Sequence, residues 1–371
     1  MDGHLEDGVV RLGGNARQQF HDARGYGRPL SGNEIELSRV EAAHLLFRGD
    51  VDAVDGMDFR EFFVASTRAR DRFGLRFLVY ADLRERGFYL SPASGEWPGP
   101  ADDAADFVVY PRGKTADDGV VEHRVRVVGE RESVAAEGLA GYVLAVVDEE
   151  SELTYLDATT PTLPGGTDYD PPAGLDGLLV DDRVLVWDAP TDLYEHGFYG
   201  QPLAGRETDE PAAIQLSLVE AASLVADDVL SLSVPSGGDD GTKSSSGTTT
   251  DTREAVEESR DDYEAVVARG RAVEGERFDR RLRVYRRLRG DGLVPKTGYK
   301  FGADFRTYAE VESVSTLSHS EHLVRVLPAG HRFDPRDLAL DVRLAGGVRK
   351  QMVFALVGTE IEWLSVGRVT P

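Results

Sequence analysis

TGYKFGADFRTY at residues 297–308, LSHSEHLVRV at 317–326 and DVRLAGGVRK at 341–350 bring a tyrosine, a histidine and a lysine into one short stretch. An earlier stretch answers it block by block, with PADDAADFVVY at 100–110, VEHRVRVV at 121–128 and GLAGYVLAVV at 138–147. The framework and the tyrosine return there, whereas the histidine and the lysine do not. The β-rich runs EHRVRVV (122–128) and EHLVRVL (321–327) read as matching strands, and YVLAVV (142–147) and QMVFALV (351–357) close each copy with another.

Working outward, the correspondence continues toward the N-terminus. GRPLSGNEIELSRVEAAHLL at 27–46 is echoed by GQPLAGRETDEPAAIQLSLVEAASLV at 200–225. Each carries Ser-x-x-Glu, as Ser38 with Glu41 and Ser217 with Glu220, the signature of a capping box at a helix start. FLVYADLRERGF (77–88) and LRVYRRLRGDGL (282–293) show helical spacing of apolar residues and end in glycine. Five ordered blocks therefore predict a tandem duplication of class α/β (α+β). TTPTLPGGTDYDPPAG at 159–174 reads as a linker, and SVPSGGDDGTKSSSGTTTDT at 233–252 as a disordered insertion without counterpart in the first copy.

Composition narrows the function. The 371 residues suffice for two or three domains, and 41% hydrophobic content supports real cores. With no cysteine, disulfides and thiolate metal sites are excluded. The N-terminus MDGHLEDGVVRLGG lacks a basic leader and an apolar run, and no window approaches the roughly 18 apolar residues of a membrane span. A soluble, cytoplasmic protein is expected.

The formal net charge of -24 would ordinarily argue against a nucleic-acid partner. Yet the acidic residues are dispersed, and only Lys114, Lys243, Lys296, Lys300 and Lys350 are lysines. That pattern suits concentrated salt, where the Debye length falls to about 3 Å and distant charges cease to matter. An ordinary acidic protein with a coding bias toward arginine is the plainer reading of the same counts.

KFGxDFxxY, HSxxLV and VRK in this order resemble the archaeal tRNA-intron (tRNA-splicing) endonuclease family, in the form that fuses a degenerate and a catalytic unit in one chain. The resemblance implies an N-terminal mixed α/β subdomain and a C-terminal nuclease-like subdomain in each repeat. It places the degenerate repeat at 1–161, a linker at 162–178 and the catalytic repeat at 179–371, divided near 278. It implies catalysis by Tyr308, His319 and Lys350, whereas the first copy keeps Tyr110 but has Val120 at the histidine position and a lysine position near Ala140. Arg343 and Arg368 match arginines that clamp a flipped-out bulge base. The acidic loop DEESE, with Asp148, Glu149, Glu150 and Glu152, matches one that docks into the opposite subunit of a homodimer. The implied substrate is precursor tRNA with a bulge-helix-bulge fold, with no membrane partner, no cofactor and no metal.

The residue types agree with that chemistry on their own terms. Tyrosine, histidine and lysine without a metal-ligand cluster suit RNA cleavage by its own 2'-hydroxyl, because the nucleophile resides in the substrate. His319 is the natural proton donor to the departing 5'-oxygen. Lys350 suits the added negative charge on phosphorus, and Tyr308 would take the 2'-hydroxyl proton or position it. Tyr308 also has a structural reading, since Tyr110 survives without its companions. His322 is repeated as His123 and reads as framework. Lys296 and Lys300 frame the TGYKFG turn and would either touch RNA backbone or face solvent. A non-catalytic RNA-binding scaffold and a metal-dependent DNA or junction nuclease are the alternatives.

Overall fold

A computed structural model describes residues 1–203, 213–233 and 252–371, the side chains of 252–258 aside. Most of the 233–252 segment, expected to be a disordered insertion, lies outside the described residues. The chain separates into two compact units. The first comprises Met1–Thr160, Gly330–Leu344 and Leu364–Pro371, and the second Pro161–Ala329 and Ala345–Trp363.

The first unit opens with β1 (Asp2–Glu6), β2 (Val9–Leu12), β3 (Arg28–Pro29), β4 (Ile35–Ser38), α1 (Arg39–Phe47), β5 (Ala53–Val54), α2 (Phe59–Ala69) and α3 (Phe73–Glu85). It continues with β6 (Tyr89–Pro92), β7 (Phe107–Tyr110), β8 (His123–Gly129), β9 (Val134–Ala135), β10 (Tyr142–Val147) and β11 (Leu153–Thr159). Its strands form one sheet ordered β3-β4-β2-β1-β5 and a second run ordered β6-β7-β8-β10-β11. β10 lies parallel to β8 and antiparallel to β11. Val143 to Val147 of β10 are all buried, each valine contributing about 1.5–3 kcal/mol relative to exposure. That accounts for a strand read as a continuous apolar run rather than an alternating one.

The second unit repeats this order. It contains β12 (Leu175–Val180), β13 (Arg183–Trp187), α4 (Thr191–Glu195), β14 (Gln201–Pro202), β15 (Ala213–Ser217), α5 (Leu218–Ala226), β16 (Leu230–Ser233), α6 (Thr252–Glu274) and α7 (Arg277–Gly290). After α7 come β17 (Val294–Thr297), β18 (Phe305–Tyr308) and β19 (His322–Pro328). Then follow β20 (Arg332–Phe333), α8 (Pro335–Gly347), β21 (Gln351–Val357) and β22 (Ile361–Val369). The orders β14-β15-β13-β12-β16 and β17-β18-β19-β21 mirror those of the first unit strand for strand. α8 lies in the crossover between the parallel strands β19 and β21; β20 and the residues of α8 to Leu344 belong to the first unit, as do those of β22 from Leu364.

The repeated sequence blocks turn out to be hydrogen-bond partners. Ser38 and Glu41 close a capping box on α1, and Ser217 and Glu220 close one on α5. Each buried glutamate also accepts from a glycine of the GxPL motif, Gly27 N to Glu41 at 2.7 Å and Gly200 N to Glu220 at 3.0 Å. Both glycines have positive φ, and a Cβ at either would lie within 2.6 Å of a backbone carbonyl oxygen, of Glu36 and Gln215 respectively. Only glycine fits. GxPL and SxVEAA therefore recur together because each satisfies the other.

The segment read as a linker is tied down along the second unit. Gly166 N donates to Ala309 O at 2.7 Å, Thr167 N to Gly292 O at 3.0 Å, and Val311 N to Thr167 Oγ1 at 3.0 Å. A Cβ on Gly165 would meet Asp291 O and the Gly292 backbone at 2.2 Å, so the glycines serve close approach rather than looseness.

Candidate active site

The strand register of the second unit gathers the catalytic candidates at one end of its sheet. Tyr308 is the last residue of β18. Thr307 pairs with His322, the first residue of β19, and His322 pairs in turn with Gln351, the first residue of β21. His319 thus lies three residues ahead of β19 and Lys350 immediately ahead of β21. Lys350 Nζ donates to the carbonyl of Ser320, the residue after His319, at 2.5 Å. The lysine is held against the segment that carries the histidine.

The environments of the three differ. The Tyr308 ring is buried with Phe198, Val294 and Val311, its centroid 5.6 Å from that of Phe198. Among the described residues nothing hydrogen-bonds its hydroxyl. His319 is exposed, and Lys350 is half-buried with Nζ 5.8 Å from the Phe301 ring centroid. Partial burial lowers the Lys350 pKa below the ordinary lysine value, and the Arg306 guanidinium adds to the effect. His322 is buried and hydrogen-bonded to Thr307 Oγ1 at 3.2 Å, and burial lowers its pKa, which favours the neutral ring. It is a sheet residue, as its repetition at His123 suggested.

The first unit supplies an internal comparison. Val125 and Val143 pair across β8 and β10, as Val324 and Val353 do across β19 and β21. Counting back three residues from Val353 and from Val143 sets Lys350 against Ala140. Tyr110 pairs with Tyr89 as Tyr308 pairs with Val294. Unlike Tyr308, Tyr110 has its hydroxyl consumed, meeting Ser91 Oγ at 2.5 Å and donating to Pro98 O at 3.0 Å. The same strand position carries an internally satisfied phenol in one unit and an unengaged one in the other.

Lys296 does not stand on a solvated turn, as its place beside TGYKFG suggested. It stands on β17 with its side chain only 10% exposed, Nζ donating to Glu220 Oε1 at 2.8 Å and to the carbonyls of Phe198 and Gly200 at 3.1 and 2.9 Å. Burial would raise the Glu220 pKa, but the Lys296 ammonium and the Ser217 donors overcome it and hold the carboxyl at about 2. Glu41 has equivalent Ser and Gly donors but no lysine, and burial raises its pKa. Lys300 is exposed.

Arg306 escaped the sequence comparison although DFRTY set beside DFVVY displays it. It stands opposite Lys296, whereas the equivalent Val108 stands opposite Ser91. Its guanidinium carbon lies 5.7 Å from the Tyr308 ring centroid.

The remaining candidates occupy other elements. Arg343 on α8 and Arg368 on β22, paired there with Leu156, are both exposed and fall in the first unit. DEESE forms the hairpin between β10 and β11, where Asp148 Oδ1 accepts from the amides of Glu150 and Glu152 at 2.9 and 2.8 Å. Glu149 pairs with Arg131 at 2.6 Å, and Glu149, Glu150 and Glu152 are exposed. No cluster of metal-ligating side chains and no helix long and apolar enough to cross a membrane occurs among the described residues.

Comparison with known proteins identifies the family. The tRNA intron endonuclease catalytic C-terminal domain matches residues 278–363, and the N-terminal domain of that family matches both 1–63 and 175–241. The chain is 55% identical over 374 residues to the tRNA-splicing endonuclease of Haloferax volcanii and equally to that of Halobacterium salinarum, covering 100% of each chain in both cases. It is 35% identical to the tRNA-splicing endonuclease of Methanosarcina mazei, with 98% of both chains covered. Matches of this extent, joined to a tyrosine, histidine and lysine gathered at one sheet end, establish that the chain belongs to the tRNA intron endonuclease family.

Proposed function

We propose that the protein excises introns from precursor tRNA at bulge-helix-bulge splice sites, without a metal, leaving 2',3'-cyclic phosphate and 5'-hydroxyl ends. The observation that carries this reading is the hydrogen bond from Lys350 Nζ to Ser320 O, which ties the lysine to the histidine segment beside the strand end bearing Tyr308. In the first unit the corresponding positions hold Val120 and Ala140, so that repeat is non-catalytic.

The chemistry is an internal transesterification. The 2'-oxygen attacks phosphorus as its proton passes to water that Tyr308 positions, or to Tyr308 acting as the phenolate. The bond from phosphorus to the 5'-oxygen breaks as His319 delivers a proton to that oxygen. Lys350 stabilises the charge accumulating on the non-bridging oxygens. Exposure of His319 suits a group that must meet a large substrate and exchange its proton with solvent between turnovers.

Arg343 and Arg368 are assigned to the RNA. An exposed guanidinium without an ion-pair partner among the described residues can stack on an unpaired base and fork onto phosphate. Two chains form a homodimer whose DEESE loops dock on the opposite subunits, offering two active sites to two splice junctions. The hairpin suits this role because Asp148 fixes the backbone and leaves Glu150 and Glu152 exposed. The protein acts in the cytoplasm.

The test is incubation with an intron-containing precursor tRNA in concentrated salt and EDTA, followed by end-group determination. Cleavage that stops in EDTA, or that leaves no cyclic phosphate, refutes the mechanism. Cutting of a substrate with 2'-deoxyribose at the splice site refutes it independently.

A further inference from the structure

In a chain with 66 acidic and 42 basic residues, Arg306 has no carboxylate partner among the described residues. Its Nε is enclosed and makes no hydrogen bond. Burying part of a cation without a counter-charge is unfavourable unless a ligand supplies the anion. Lys296, opposite it on β17, is already neutralised by Glu220. Arg306 is not, and its charge reaches Lys350, whose pKa it helps to lower. It also shares a strand face with Tyr308, two residues along β18.

The comparison between units sharpens this. At the positions of Lys296, Arg306, His319 and Lys350 the first unit carries Ser91, Val108, Val120 and Ala140, so the loss of Arg306 accompanies the loss of both other groups.

We propose that Arg306 is a fourth catalytic residue, its guanidinium donating to a non-bridging oxygen of the scissile phosphate beside Lys350. This rests on the reading of Tyr308, His319 and Lys350 given above. The planar fork serves two oxygens of one phosphate, whereas Lys350 acts as a point charge. The two cations together meet the charge that builds as the 2'-oxygen bonds to phosphorus and the 5'-oxygen leaves.

The experiment measures single-turnover cleavage of a precursor carrying one stereodefined phosphorothioate at the splice site, by wild type, R306Q, R306K and K350A. R306Q should cleave the all-oxygen substrate about 100-fold more slowly, with R306K intermediate, while affinity for a 2'-deoxy substrate changes by about threefold or less. Replacing the contacted oxygen with sulfur should slow wild type, and that penalty should vanish in R306Q, an outcome that loss of packing alone would not give. R306K carries the same comparison if R306Q folds poorly. Folded R306Q cleaving like wild type, a sulfur penalty undiminished in both Arg306 variants, or a wild type indifferent to both diastereomers overturns the assignment. Wild-type cleavage by K350A would instead overturn the reading beneath it.

Discussion

Replacing Lys296 with methionine tests whether the buried pair with Glu220 stabilises the second unit or merely fills space. Glu220 is held at about 2 against an ordinary 4.5. At about 1.4 kcal/mol per pH unit, that gap corresponds to at most about 3 kcal/mol of stability at neutral pH, and burial, which lowers the Lys296 pKa, offsets part of it. A depressed folded-state pKa makes this contribution fully present above about pH 4.5 and progressively lost as the pH falls toward 2. In K296M the carboxylate keeps its donors from Gly200 and Ser217 but loses the ammonium, the situation of Glu41, whose pKa is raised. Breaking a buried pair from one side costs about 3–5 kcal/mol, and the surviving donors favour the lower end. Urea unfolding in concentrated salt should therefore show K296M weaker by about 3 kcal/mol at pH 7, with the gap narrowing on acidification as Glu220 takes a proton. E220Q/K296M should recover part of the loss. A K296M deficit under about 0.5 kcal/mol, or one that does not shrink in acid, would falsify the assignment of the pair as a net stabiliser.

Other outcomes follow from the site. H319A should abolish cleavage at any pH while precursor binding by filter retention stays near wild type; retained cleavage removes the proton-donor role. Y110F should cost about 1 kcal/mol in unfolding free energy, from the lost bonds to Ser91 and Pro98, and leave the cleavage rate unchanged; a rate defect would give the first unit a part in the chemistry. Because burial and Arg306 depress Lys350, the cleavage rate should fall on the alkaline side below the ordinary lysine value of 10.5, as the ammonium is lost. K350R, which stays charged, should cleave with that limb displaced upward, and an unmoved limb would place the titration elsewhere. Neutralising Glu149, Glu150 and Glu152 to glutamine should weaken self-association in sedimentation, and an undisturbed dimer would remove the loop from the interface.

The duplicated blocks were legible because they record hydrogen-bonding partnerships local in topology. Ser-x-x-Glu predicts a capped helix from chain geometry alone, and the helix and strand periods of the later blocks follow from which face must be buried. His319 and Lys350 stood out for a related reason, since a second copy without them separated site from framework. Lys296 was misjudged because its partner, Glu220, lies far away in sequence and joins it only once α5 packs near β17. Arg306 was overlooked because a polar residue on a short strand reads as solvent-facing. Only the fold shows that no carboxylate among the described residues meets it.

From the sequence by itself came the α/β class, the repeated order of elements, and the tyrosine, histidine and lysine that one unit possesses and the other largely lacks. These are written in spacing and identity, which local backbone sterics and burial translate directly into elements. The tertiary structure alone decided that Lys350 is tied to the histidine segment, that among the described residues the Tyr110 hydroxyl is consumed while that of Tyr308 is unengaged, and that Lys296 is neutralised while Arg306 meets no carboxylate there. Whether a polar group is paired or available depends on atoms brought close by strand register and helix packing, and those neighbours are set by the whole fold.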